Sequence, residues 1–184
     1  MERKLELKDI AGYLPYGLHC YSKKLQENIP IYGHKSNRLL CGCYDLQFYK
    51  HLNIDGFFIG DKINNFKPIL RPLFDLYKTI THNGKEIVPI VKLAKIAFHN
   101  YEWSNWIVWD NKSIAITRED EVIIGVFDFE KEGCYFFSTL KDDVPLKNLP
   151  QLFDYLNELK IDYRGLIDSG LAVDVNTLNI NPYK

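Results

Sequence analysis

His19, Cys20, His34, Cys41 and Cys43 are the metal-capable side chains that lie nearest one another in this sequence. Structural zinc sites pair thiolates and imidazoles, with roughly two to four residues between paired cysteines. Cys41-Gly42-Cys43 is tighter than that, and in a strand both thiols would point to one face. The adjacent His19 and Cys20 would point to opposite faces. The pattern reads as buried thiols and ordinary histidines, so no metal ligand is assigned. His82-Asn83 and His99-Asn100 bracket a hairpin and a helix in a manner similar to nucleases that use two histidines and an asparagine. Asn83 is better explained by a tight turn, and His99 by a helix C-terminus, where a cation is favoured. A metal-dependent nuclease is therefore only the remote alternative. Asp128-Phe129-Glu130-Lys131 lacks a lysine two residues after an acid, and Glu158-Leu159-Lys160 has that spacing only on an amphipathic helix. No phosphate loop, dinucleotide fingerprint or nucleophile elbow occurs. No catalytic residue and no cofactor are assigned, and the reading is non-enzymatic.

Binding chemistry is better represented. Arg71 stands between Pro68 and Pro72, which fix φ on both sides of it. Its guanidinium can hold carboxylate or phosphate through two parallel hydrogen bonds. Lys67, Tyr13 and Tyr16 are grouped with it as ligand- or partner-binding candidates. The plain alternative pairs Arg71 with Asp75, four residues on. Aromatic residues are 14% of the chain, and Trp103, Trp106 and Trp109 fall within one strand-like segment. Trp103 and Trp106 would lie on opposite faces of such a strand, one facing the core and the other free to stack on a ligand or partner. A sheet covered on both sides is the competing reading, and the two-sided apolar pattern around Gly125 supports it.

Those side chains need elements to hold them. Residues 5–14 read as a helix stopped by Pro15. Residues 18–22 and 38–49 read as strands, the second with Leu40, Tyr44, Leu46 and Phe48 on one face. Residues 53–56 are a turn, and extended structure resumes at 57–59. Two prolines forbid a continuous helix over 66–73, and Pro72 suits the first turn of a helix to about Ile80. Asn83-Gly84 predicts a hairpin, residues 90–99 a helix, and 103–109, 113–118, 121–128 and 134–139 an antiparallel meander. Asn148 is placed to cap a helix over 148–160, with Leu149, Leu152, Phe153, Leu156 and Leu159 as its apolar stripe. A short helix over 163–169 ends at Gly170, and residues 171–173 close the ordered chain. Strands grouped apart from helices indicate an α+β fold, expected as a single domain over 1–184 with a subdivision near residue 100.

The 184 residues carry a formal charge of −1, yet residues 1–100 sum to +6 and residues 101–184 to −7. A basic face for phosphate is one consequence; mutual cancellation on folding is the other. With 46% hydrophobic residues the chain can bury a core, which excludes disordered and low-complexity classes. Apolar runs are too short for a membrane span, and the opening residues lack the apolar stretch of a secretory signal. A cytoplasmic protein with four reduced cysteines is expected.

Three segments carry a resemblance. They are Leu7 to Leu18, with Tyr13-Leu14-Pro15-Tyr16-Gly17-Leu18; Phe66 to Ile90, with Lys67-Pro68-Ile69-Leu70-Arg71-Pro72-Leu73; and Phe153 to Leu178, with Gly165-Leu166-Ile167-Asp168-Ser169-Gly170. Together, about a third of the chain resembles a family of uncharacterised proteins encoded by tailed phages and prophages of Bacteroides-type gut bacteria. That family usually has Ser where this chain has Phe74, and residues 91–150 do not share the likeness. The resemblance implies an accessory protein acting inside an infected bacterial cell. Its expected role is to bind a host or phage protein, a defence component among the candidates. The alternative is a nucleotide or nucleic-acid binder that uses basic and aromatic residues. Membrane association is not expected. Thiol titration of the denatured protein should count four cysteines, and elemental analysis should find no stoichiometric zinc.

Overall fold

The computed structural model describes residues 3–35, 38–42, 58–97, 105–109, 113–117, 123–130, 133–138 and 148–184. Helices and strands are segregated in it, an α+β architecture. Two compact units divide the chain: residues 1–71 with 164–182, and residues 72–163 with 183–184. The first crossing from one to the other falls at Arg71–Pro72, upstream of the subdivision suggested near residue 100.

The first unit opens with α1 (Leu7–Ile10), which passes directly into a 3-10 turn over Ala11–Tyr16. The single helix expected over 5–14 is therefore one α-turn followed by a tighter winding that takes Pro15 inside it. Ile10 and Tyr13 are fully buried and Tyr16 half-buried, a spacing of three that matches the 3-10 period. Gly17 ends the turn in the left-handed region, at φ 72°.

A six-stranded sheet follows. Its strands are β1 (His19–Ser22), β2 (Glu27–Lys35), β3 (Arg38–Gly42), β4 (Phe58–Lys62), β5 (Phe66–Leu70) and β12 (Val173–Asp174), in the order β12-β5-β1-β2-β3-β4. All pairs are antiparallel except β12 with β5. The sequence reading missed β2, and it took 66–73 as non-helical without placing it in the sheet. Both strands contain a proline at a change of partner. In β2, Pro30 is the last residue registered against β1, and the ladder to β3 starts at Ile31. In β5, Pro68 is the last residue registered against β1, and the ladder to β12 starts at Ile69. Residues 43–49 and the expected turn at 53–56 lie outside the described residues.

Turns occupy 163–170 where a short helix was expected. Gly165, at φ 68°, interrupts helical geometry, and Gly170, at φ 70°, takes the left-handed position predicted for it. The chain does not close at 171–173. It continues through β12 and a 3-10 turn at Val175–Thr177.

The second unit begins with Pro72 ahead of a five-residue 3-10 turn, Leu73–Tyr77, in place of the longer helix expected to reach Ile80. The hairpin claims the residues beyond: β6 (Ile80–His82) and β7 (Lys85–Ile87) are joined by Asn83 at φ 50° and Gly84 at φ 72°. Two successive left-handed residues make the type I′ turn that suits strand twist. Then come α2 (Pro89–Ala97) and the predicted meander: β8 (Asn105–Trp109), β9 (Ser113–Thr117), β10 (Ile123–Glu130) and β11 (Gly133–Ser138), in the order β11-β10-β9-β8.

The last helix, α3 (Leu149–Glu158), packs on α2. Ile90, Leu93, Ala94 and Ala97 meet Leu152, Tyr155, Leu156 and Leu159 in one buried cluster. The stripe is rotated from the expected one. Leu149 is 44% exposed and Phe153 39%, while Tyr155 is buried. Asn148 does not cap its own helix. Its backbone is left-handed, at φ 65°, and its Nδ2 donates instead to the Ile96 carbonyl at 3.2 Å, tying the start of α3 to the end of α2. No described helix is long and apolar enough to cross a membrane.

Leu156→Ala should lower stability by about 2–5 kcal/mol, because the side chain is fully buried in this cluster. Phe153→Ala should cost only about 1 kcal/mol, through its tilted contact with Tyr163 at 5.3 Å. Urea unfolding of both variants checks the rotation of the stripe.

Candidate functional site

At the end of the first unit's sheet, Ser22 of β1 is registered against Phe66 of β5. The turn that follows β1 is tied there. The Lys23 backbone N–H donates to the Asn65 carbonyl at 2.9 Å, and Lys23 Nζ donates to the Asn64 carbonyl at 2.8 Å. The residues before α1 and the turn at 169–171 reach the same place, and the four segments enclose a cavity of about 460 Å³. Leu5, Phe66 and Leu171 give it apolar wall, and Ser169 and Gly170 close one side.

Arg3, Lys4, Lys23 and Lys67 line this cavity, and among the described residues no carboxylate does. Two acids that follow Arg3 and Lys4 in the chain, Glu6 and Asp9, are engaged with other groups. Asp9 accepts from Arg3 at 3.1 Å and from the Glu6 backbone N–H at 2.9 Å. Glu6 pairs with Lys8 at 2.6 Å, and that contact holds the Lys8 ammonium above its ordinary pKa, first by hydrogen bonding and then by charge. Arg3 is thus held by Asp9 and Lys23 by a carbonyl. The side chains of Lys4 and Lys67 make no ion pair or hydrogen bond among the described residues. The first unit as a whole has 12 basic and 9 acidic side chains, against 11 and 15 in the second. Part of the asymmetry along the sequence therefore persists as a difference between the units.

Of the residues singled out by sequence, Lys67 lies in the cavity wall, opposite Tyr21 in the register. Tyr13 is 0% exposed and Arg71 2%, so neither is placed to meet a partner at the surface. Tyr16 is half-buried and does not line the cavity. Trp106 stands in β8 opposite Ile116, and Trp103 lies outside the described residues. Sequence reasoning missed Arg3, Lys4 and Lys23. Their only advance signal is the positive balance of residues 1–100, since no local motif joins them.

Among the described residues, no group of three or more His, Cys, Asp or Glu side chains is arranged to hold a metal ion. Cys20 is buried in β1 and forms no disulfide. No family model, curated protein or solved structure matches this chain.

Space of this size, lined by cations and a little apolar surface, suits an anionic small molecule. The ammonium groups supply charge, and the Ser169 hydroxyl, which donates to the Leu166 carbonyl at 3.0 Å, retains acceptor capacity. Gly170→Ala should destabilise the protein by about 1 kcal/mol, because an L-residue resists φ 70°. A Cβ there meets nothing within 4 Å, so thermal unfolding should shift while the cavity keeps its shape.

Proposed function

We propose that this chain is a non-enzymatic binding protein for a phosphate-bearing small molecule of nucleotide size, held in the cavity lined by Lys4, Lys23 and Lys67. The observation that carries the reading is four basic side chains around about 460 Å³ with no acidic residue in the wall among the described residues. Phosphate oxygens accept charge-assisted hydrogen bonds from such groups. The bounded volume favours a nucleotide over a polymer. The phage setting, and action in the cytoplasm of an infected cell, rest on the three resembling segments. In that setting the protein would withdraw a nucleotide from other reactions or respond to its level.

A protein partner is the second reading, favoured by Leu149 and Phe153. They are one helical turn apart on α3 and are both exposed.

Calorimetric titration with adenosine triphosphate and with inorganic pyrophosphate tests the first reading. Binding should weaken steeply with salt, and Lys67→Ala and Lys4→Ala should each cost about tenfold in affinity without moving the melting temperature. Salt-insensitive behaviour on heparin, together with no titration signal for either probe, would turn the assignment toward a protein partner.

A further inference from the structure

Three residues stand abreast across the first unit's sheet. Lys67 of β5 is registered against Tyr21 of β1, and Tyr21 against Asn28 of β2. Residues directly opposed in an antiparallel pair point to one face, with Cβ atoms about 4.5–5.5 Å apart. The neighbouring row, Pro68, Cys20 and Ile29, points the other way and is buried. In the first row, Tyr21 and Lys67 are half-buried and Asn28 is exposed. The side chains of Tyr21 and Asn28 make no hydrogen bond among the described residues. Lys67 belongs both to this row and to the wall of the basic cavity. Tyr21 is not part of that wall; it is the next residue across from Lys67. Phe66 is the aromatic residue in the wall among the described residues, and at 2% exposure its ring has no face to offer a ligand.

We propose, resting on the phosphate-binding reading of that cavity, that Tyr21 is the platform on which the ligand's aromatic base stacks, with the Asn28 carboxamide at the edge of the base. The ligand is then a nucleotide, not a sugar phosphate or a free polyphosphate. A ribose separates a base from its phosphates, so the two ends need neighbouring sites and not one. The single cross-strand step from Lys67 to Tyr21 supplies that spacing. Phosphates held by Lys67 and Lys4 leave the base over the adjacent strand. A tyrosine ring presents a π-face that any base can use. Asn28 adds amide donors and a carbonyl acceptor, a set that matches the donor and acceptor edge of adenine.

The test compares adenosine triphosphate with inorganic pyrophosphate, titrated into the full chain and its variants. Tyr21→Leu should weaken the nucleotide about tenfold, the loss of one stacking contact, and leave pyrophosphate unchanged. Tyr21→Phe keeps the ring and should bind the nucleotide as the unaltered chain does. Asn28→Ala should weaken the nucleotide severalfold, again without effect on pyrophosphate. A Tyr21 that only supports the wall would lose both probes together. A second measurement needs no variant to fold: in the unaltered chain with labelled tyrosine rings, the Tyr21 proton resonances should move upfield with the nucleotide and stay in place with pyrophosphate. Full nucleotide affinity in Tyr21→Leu or Asn28→Ala, an equal loss for both probes, or unmoved Tyr21 resonances would each overturn the platform and leave the basic site standing. If neither probe binds the unaltered chain, the basic site itself fails and the platform with it.

Discussion

Proline has no backbone N–H, and two prolines set how the first unit's sheet is assembled. Pro30 and Pro68 each occupy a strand that has neighbours on both sides, where proline is rarely accepted. The sheet accommodates them by stagger. β1 is registered against β2 as far as Pro30 and against β5 as far as Pro68, and the opposite ladders begin one residue later in each case. Neither proline is therefore registered against two strands at once. The arrangement leaves the start of β5, Phe66 and Lys67, without β12 beside it, and that open end contributes to the cavity wall. The basic site is thus a consequence of where the strand changes partner.

How much of this was legible follows from how local each signal is. The Asn83-Gly84 hairpin, the α2 helix and the four-stranded meander were read correctly because turn chemistry and periodicity act within a few residues. β2 was missed because Pro30, Gly33 and His34 interrupt alternation and carry little strand preference, and the pairing that holds them comes from β1 and β3. Of the expected α3 stripe, Leu152, Leu156 and Leu159 are buried, but Leu149 and Phe153 are exposed and Tyr155 takes their place in the core. Leu149 and Phe153 are as apolar as Leu152 and Leu156, and only the position of α2 decides which side is buried. Gly165 was seen as part of a helix because its left-handed φ is a property of the folded backbone, not of its neighbours.

The site shows the same division. Lys67 was found because the prolines around it drew attention to its segment. Arg71 stood out on the same grounds, yet a fixed φ says nothing about which way a side chain faces, and Arg71 is buried. Tyr13 went to the core because the 3-10 period sets it in line with Ile10. Arg3, Lys4, Lys23 and Lys67 belong to segments up to 64 residues apart in sequence, and only the fold brings them together. A pattern search along the chain has no means to join them.

Within the basic cavity the four cations have unequal duties. Arg3 is tethered by Asp9, which also accepts from the Glu6 backbone, so its guanidinium helps fix the entry of the chain into α1. Lys23 is anchored at both ends, by its backbone N–H to Asn65 and by its Nζ to Asn64, and so clamps the turn after β1 to the segment entering β5. Removing either charge would disturb the wall as well as the field. Lys4 and Lys67 carry no such obligation among the described residues. Their ammonium groups keep their donors for whatever enters, and like-charged neighbours without a carboxylate between them repel until an anion arrives. In the binding role proposed above, Lys4 and Lys67 would supply most of the affinity, while Arg3 and Lys23 hold the walls around them.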